Sequence, residues 1–182
     1  MNRRSLLLLG IKAAVGLVVA QAAPAWALSR ITGQKSPRTL SFYHTHTHEY
    51  LTITYANGGI YDPVALKRIN TYLKDFRTSE IHPIDPALLD ILWAVQEKMR
   101  CNRTYEIISG YRSPATNNTL RSRSKGVAKR SLHMKGMAVD IRLRGKKTYL
   151  VRDCAASLRS GGVGYYADSN FVHIDTGRVR TW

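Results

Sequence analysis

Two segments, Ser131-Leu132-His133-Met134-Lys135-Gly136-Met137-Ala138-Val139-Asp140 and Phe171-Val172-His173-Ile174-Asp175, set ionisable groups inside apolar runs. Asp140 interrupts Ala138-Val139-Asp140-Ile141 and His173 interrupts Phe171-Val172-His173-Ile174, so both read as strand positions whose neighbours favour burial. A carboxylate buried without a compensating charge costs several kcal/mol. A metal ion would supply that charge, and His, Asp and His suit zinc with one coordination position left open for water. In a strand from Met137 to Leu143, Ala138, Asp140 and Arg142 share a face. Phe171, His173 and Asp175 likewise share a face, with Asp175 roughly 7 Å along the chain from His173. A carboxylate there either takes the proton of an attacking water or holds a ligand histidine in its metal-binding tautomer. Singly, these residues read as a surface histidine, a satisfied core histidine and a salt-bridge partner. Their combination, with Ser109-Gly110-Tyr111-Arg112 upstream, favours a site.

The elements that must hold these groups are mixed. Leu40 to Tyr43 and Tyr50 to Tyr55 read as strands, with Asn57-Gly58-Gly59 as the turn that follows. Pro63 begins a helix with Leu66, Ile69, Leu73 and Phe76 on one face, and Asp85-Pro86 caps a second through Leu89, Leu92, Trp93, Val95 and Met99. Tyr105 to Ser109 is a strand ending in the turn Gly110 to Pro114, and Arg121 to Arg130 reads as a mobile basic loop. A helix from about Lys147 to Arg159 and strands at Val163 to Tyr166 and Phe171 to Asp175 complete the chain. Without regular βαβ alternation, this predicts a single α+β domain, a small, mostly antiparallel sheet covered by helices.

These residues also carry a family resemblance. Ser109-Gly110-Tyr111-Arg112-Ser113, Ser131-x-His133-x-x-Gly136-x-Ala138-x-Asp140 and the closing His173 resemble the zinc D,D-carboxypeptidase and VanX-like dipeptidase family, within the hedgehog and lysostaphin-type peptidase superfamily. The resemblance spans about Tyr105 to Trp182 and implies a hedgehog/D,D-peptidase-like fold. It implies one zinc ion held by His133, Asp140 and His173, with peptidoglycan stem peptides as substrate. The bond cut is expected to include the meso-diaminopimelate to meso-diaminopimelate cross-link, with the D-alanine to meso-diaminopimelate link as the competing target. The resemblance further implies that Arg112 binds substrate or stabilises the developing oxyanion. Several relatives place the catalytic Glu or Asp three residues before the last histidine, where this chain has Asn170, so the base comes from elsewhere. Asp175 is the first candidate and Asp168 the second. A non-catalytic peptidoglycan-binding protein on the same fold is the alternative.

The amino terminus reads as an export signal over 1–27, leaving 28–182 as the peptidase domain. Arg3 and Arg4 form its charged start, the apolar stretch Leu6 to Ala20 is broken by Gly10, Lys12 and Gly16, and Ala25-Trp26-Ala27 offers the cleavage site. That stretch is too short and interrupted for a membrane span of roughly 20 residues, so no stable span is expected once the signal is removed. The twin arginine followed by Ser5-Leu6-Leu7-Leu8 resembles a twin-arginine signal, with an ordinary secretory signal as the alternative. The expected location is periplasmic, reached through the twin-arginine machinery. Loss of the signal lowers the formal charge of +16 by only three. In an exported chain that excess argues against nucleic acid and favours the carboxylate-rich wall or an anionic membrane surface. Cys101 and Cys154 are the only cysteines and either pair or remain buried thiols. His44, His46 and His48 would align in an extended strand as a weaker second metal site, or else form a solvated strand or a wall of the substrate cleft.

Overall fold

The computed structural model describes residues 36–124 and 126–182. The expected signal at 1–27 lies outside them. Eight strands, β1 (Arg38–His44), β2 (Tyr50–Asn57), β3 (Ile60–Tyr61), β4 (Tyr105–Ser109), β5 (Ala138–Leu143), β6 (Gly162–Tyr166), β7 (Phe171–Asp175) and β8 (Arg180–Thr181), form one sheet. Its order is β3-β2-β1-β4-β5-β7-β6-β8. The pairings β1–β4 and β6–β8 are parallel and the remainder antiparallel, so the α+β architecture with a mostly antiparallel sheet is the one observed.

Four helices accompany the sheet: α1 (Pro63–Tyr72), α2 (Pro86–Lys98), α3 (Pro114–Arg123) and α4 (Thr148–Leu158). The first three start alike, with Asp62, Asp85 or Ser113 accepting from the first free N–H groups and proline at the first helical position. Strand alternation turns Leu40, Phe42, Leu51, Ile53, Tyr105, Ile107, Val139, Ile141, Val172 and Ile174 onto one face. There they meet Ile69 of α1, Leu88, Leu92 and Val95 of α2, and Val151 and Ala155 of α4. Burying such side chains stabilises by about 1.5–3 kcal/mol each, an upper figure for an extended unfolded chain. Among the described residues no helix is long and apolar enough to cross a membrane.

The other face is polar. Tyr43 of β1 stands opposite Tyr50 and beside Glu106, which pairs in turn with Arg142 of β5. Arg144 lies 4.6 Å over the Tyr43 ring and donates to Glu106 at 3.0 Å, giving the face a row of aromatic and charged groups.

Several local expectations change. α1 ends at Tyr72, so Leu73 becomes its buried cap and Phe76 belongs to the turn that follows. Arg121 and Arg123, expected in a loop, lie in α3, a helix with only Thr116 and Asn117 buried and hence no apolar stripe to betray it. The three histidines diverge because β1 stops at His44. His44 is buried with Nδ1 accepting from the His46 and Thr47 N–H groups, His46 stacks on Phe76 at 4.1 Å, and His48 turns to Tyr43 with a positive φ. Cys101 and Cys154 are free thiols.

Candidate metal centre

Asp140 sits on β5 in register with His173 of β7 on one side and Ser109 of β4 on the other, all on the polar face. His133 arrives from a 3-10 turn, Leu132–Lys135, capped by the Ser131 hydroxyl and closed by Gly136. Gly136 has φ +66°, and a Cβ there would stand 2.0 Å from the Pro83 carbonyl oxygen, so a side chain is excluded by both conformation and space. The small residue at this position lets the turn press against the segment before α2 and swing His133 over the sheet.

Three ligand atoms converge. His133 Nε2 lies 3.2 Å from Asp140 Oδ1 and 3.2 Å from His173 Nδ1, and His173 Nδ1 lies 2.9 Å from Asp140 Oδ1. Each imidazole is oriented from behind. His133 Nδ1 donates to the Gly110 carbonyl at 2.7 Å, which leaves the Nε2 lone pair facing inward. His173 Nε2 donates to Asp175 Oδ2 at 3.0 Å, which leaves Nδ1 facing inward. A tetrahedral ion with ligands about 2.0–2.1 Å away would separate them by about 3.3 Å, close to the spacing seen. The donor set, its burial and both tautomers therefore fit a zinc ion, and this is the only His/Cys/Asp/Glu cluster of that kind among the described residues.

Charge is concentrated here. Burial pushes the Asp140 carboxyl up, but His133, His173 and Arg112 outweigh it and hold it well below the usual carboxylate range. Burial pushes His133 down, and it stays below an ordinary histidine despite Asp140. Burial alone would lower His173 too, yet Asp140 and Asp175 on its two sides raise it. Arg112 donates from Nε to Ser109 Oγ at 2.7 Å and from Nη2 to Asp140 Oδ2, so Asp140 offers one oxygen to the centre and gives the other to the arginine.

Of the two places the sequence leaves open for Asp175, beside an attacking water or behind a ligand histidine, the carboxylate lies in the second, against His173 Nε2. Its carboxylate is fully buried behind His173, where it accepts from both Arg180 guanidinium nitrogens at 3.0 and 2.7 Å and from the Gly162 and Gly177 N–H groups. Asp168 is exposed in the β6–β7 turn, next to Ser169, which lines the cleft. Asn170 adopts positive φ, and its side chain accepts from the Thr148 hydroxyl at 2.9 Å. The position three residues before His173 is thus committed to the start of α4.

A cleft of about 340 Å³ opens over the centre. Arg112, Arg130 and Arg180 give it cations, while Tyr166, Phe171 and Trp182 give it an aromatic side. Tyr166 stacks on Phe171 at 4.5 Å, and the Trp182 ring lies 5.3 Å from that of His173. A Cβ at Gly164 would come within 2.5 Å of the Trp182 ring, so glycine lets the indole lie on the sheet. Sequence reasoning missed Arg180 and this aromatic wall. The arginines after the Thr176-Gly177 turn and the scattered aromatics carry no periodic signal; β8 pairing with β6 brings Arg180 and the adjoining Trp182 to the centre, and β6 pairing with β7 sets Tyr166 beside Phe171.

Residues 32–182 match the model of a family described as peptidoglycan L,D-endopeptidase MepK. The Escherichia coli K12 peptidoglycan L,D-endopeptidase MepK is 42% identical over 181 residues, covering 100% of this chain and 97% of the relative. A Shigella flexneri relative of the same description matches to the same extent. A probable peptidoglycan L,D-endopeptidase MepK of Haemophilus influenzae is 43% identical over 147 residues, 80% of this chain and 79% of the relative. With the match running through every strand and helix that builds the centre, the chain belongs to the MepK family of peptidases.

Proposed function

We propose that this protein is a zinc-dependent murein endopeptidase that hydrolyses the L,D cross-link between two meso-diaminopimelate residues in peptidoglycan. The observation that carries the reading is the convergence of His133 Nε2, Asp140 Oδ1 and His173 Nδ1, with each histidine tautomer fixed from outside the centre. When bound, zinc supplies Lewis-acid polarisation of the scissile carbonyl and activation of water. The chain's own groups do the rest. Arg112 fixes Asp140 through Oδ2 and presents its remaining N–H groups to the cleft, where they bind the developing oxyanion or a substrate carboxylate. Asp175, held by Arg180, keeps His173 in its ligating tautomer. Among the described cleft-lining residues Asp140 is the one carboxylate, which leaves Asp168, beside Ser169, as the remaining candidate for proton transfer. Arg130 suits a carboxylate of a stem peptide, and the aromatic wall suits the aliphatic chain beside it.

The N-terminal segment 1–27 is proposed as a twin-arginine signal that delivers the domain 28–182 to the periplasm, in keeping with a family match that begins at residue 32. Replacing Arg3 and Arg4 by lysine should leave the protein in the cytoplasm.

The decisive assay incubates the purified protein with cross-linked muropeptides, with and without a chelator, and weighs the products. Cleavage of the meso-diaminopimelate link that is lost on chelation and restored by zinc is expected. Intact cross-links under zinc-replete conditions would remove the enzymatic reading and leave a wall-binding role.

A further inference from the structure

Asp75 is a buried carboxylate, 1% exposed, in the turn between α1 and α2, with no arginine, lysine or histidine within salt-bridge distance among the described residues. A solitary buried charge is costly unless hydrogen bonds stand in for an ion pair. Here they come from the segment that carries Arg112. Asp75 Oδ2 accepts from the Ser113 N–H at 2.8 Å and Oδ1 from the Arg77 N–H at 3.0 Å, while the nearby Thr116 and Ser113 side chains favour the charged form of the same carboxylate. Ser113 is the N-cap of α3, so the carboxylate also faces the positive end of that helix. Burial pushes the Asp75 carboxyl up, but these donors outweigh it and hold it below its ordinary value, so the charge persists.

The neighbouring bonds make a clamp. Two residues before Asp75, the Leu73 carbonyl accepts from the Tyr111 N–H at 2.9 Å, and a Cβ at Gly110 would lie 2.6 Å from that oxygen. Residues 111 and 113, on both sides of Arg112, are thus tied to one turn. On the opposite side the Arg112 N–H donates to the His133 carbonyl at 3.2 Å, and the Gly110 carbonyl accepts from His133 Nδ1. The backbone of Arg112 is held between the Asp75 turn and the histidine turn.

We propose that Asp75 is a positioning residue for the hydrolysis, setting the place of the Arg112 guanidinium over the cleft without touching substrate. This rests on the reading of the cleft as a peptidase site. An asparagine would keep the shape but offer an NH₂ to groups that already donate, so Asp75→Asn should loosen the 111–113 turn. A displacement of about 1 Å at a catalytic group can cost about a hundredfold in rate. With zinc-loaded protein and cross-linked muropeptides, Asp75→Asn is expected to lower kcat about tenfold to a hundredfold with KM and bound zinc little changed. In an Arg112→Ala background the same change should add less than about a twofold loss, because a residue acting through Arg112 has nothing left to position. Losses that multiply, or a loss that only follows the folded fraction, would overturn the proposal. A second readout needs no turnover: the ¹⁵N resonance of Arg112 Nε–H, bonded to Ser109, should broaden or exchange faster in Asp75→Asn. Thr116→Val removes one polar neighbour of the carboxylate and should shift the same resonance less, which keeps the test open if Asp75→Asn does not fold. An Arg112 signal unchanged in the folded variants would refute the positioning role even in a protein that cleaves nothing.

Discussion

Asp175 and Asp140 are two buried carboxylates with different duties, separated by one imidazole. Asp140 faces Nδ1 of His173 and Asp175 faces Nε2. Asp175→Asn should therefore weaken zinc binding about 10–100-fold, read by competition with a chromophoric chelator. Unchanged affinity with a collapsed kcat would instead return the proton-transfer role to Asp175. The sequence already places His173 and Asp175 on one face, because strand alternation is fixed by covalent geometry. Which ring nitrogen the carboxylate meets depends on the histidine rotamer, which a linear pattern does not encode. His133, Asp140 and His173 were legible for a simpler reason: charge in an apolar run needs a partner. Arg180 was not, since nothing about a half-buried arginine in a two-residue strand announces that it will lock a carboxylate five residues earlier. His44 supports a second prediction at this scale. Burial, with nearby His46, pushes it down to about 4. Its folded pKa is below its unfolded value of about 6.5, so the unfolded chain binds the extra proton and stability falls as pH drops through that interval. Urea unfolding should lose on the order of 1 kcal/mol between pH 7 and pH 5 that His44→Asn does not lose.

At the level of elements, the site depends on turns more than on strands. The 3-10 turn bearing His133 is closed by Gly136 against the Pro83 carbonyl. Gly136→Ala should cost at least about 2 kcal/mol, from strain at positive φ plus a backbone clash, and should displace His133. Thermal unfolding and zinc content measure the two effects separately. Retention of both would mean that the segment before α2 yields freely. Long apolar strands and helices starting at Asp-Pro were readable because burial and capping leave periodic and positional marks. α3 was passed over although Ser113-Pro114 bears the same starting mark, because Asn117, Asn118, Arg121 and Arg123 fill its turns with polar groups. The two-residue strands β3 and β8 lie below the length at which alternation means anything.

For the whole molecule, the centre is a cross-link between distant parts of the chain, joining residues 133, 140 and 173. Zinc that binds the folded state alone stabilises it by about 2.7 kcal/mol when free metal is a hundredfold above Kd. Chelation should lower the melting temperature in proportion, and His173→Ala should abolish the difference. A second anchor lies across the core, where Asp90 of α2 accepts from Arg38 of β1 and from the Tyr55 and Tyr61 hydroxyls at 2.5, 2.9 and 2.6 Å. Asp90→Ala should destabilise by about 1–3 kcal/mol in urea, since the buried Tyr55 hydroxyl loses its acceptor. The overall architecture was legible because each element's apolar face points to the same core. The order of strands was not, because the parallel β1–β4 pairing is made across about sixty residues of intervening chain and leaves no local trace.

The sheet gives one face to α1, α2 and α4, while the other turns Tyr43, Glu106 and Arg142 toward solvent and holds the buried centre at the floor of a cleft bordered by Leu120 of α3 and Arg130 to Leu132. A deep tunnel must be threaded from a free end, but a bridge between two glycan strands has none to offer. A cleft on the surface of a sheet can be approached broadside, so the enzyme can settle on the middle of a tethered peptide and cut it without first finding a loose end in the mesh.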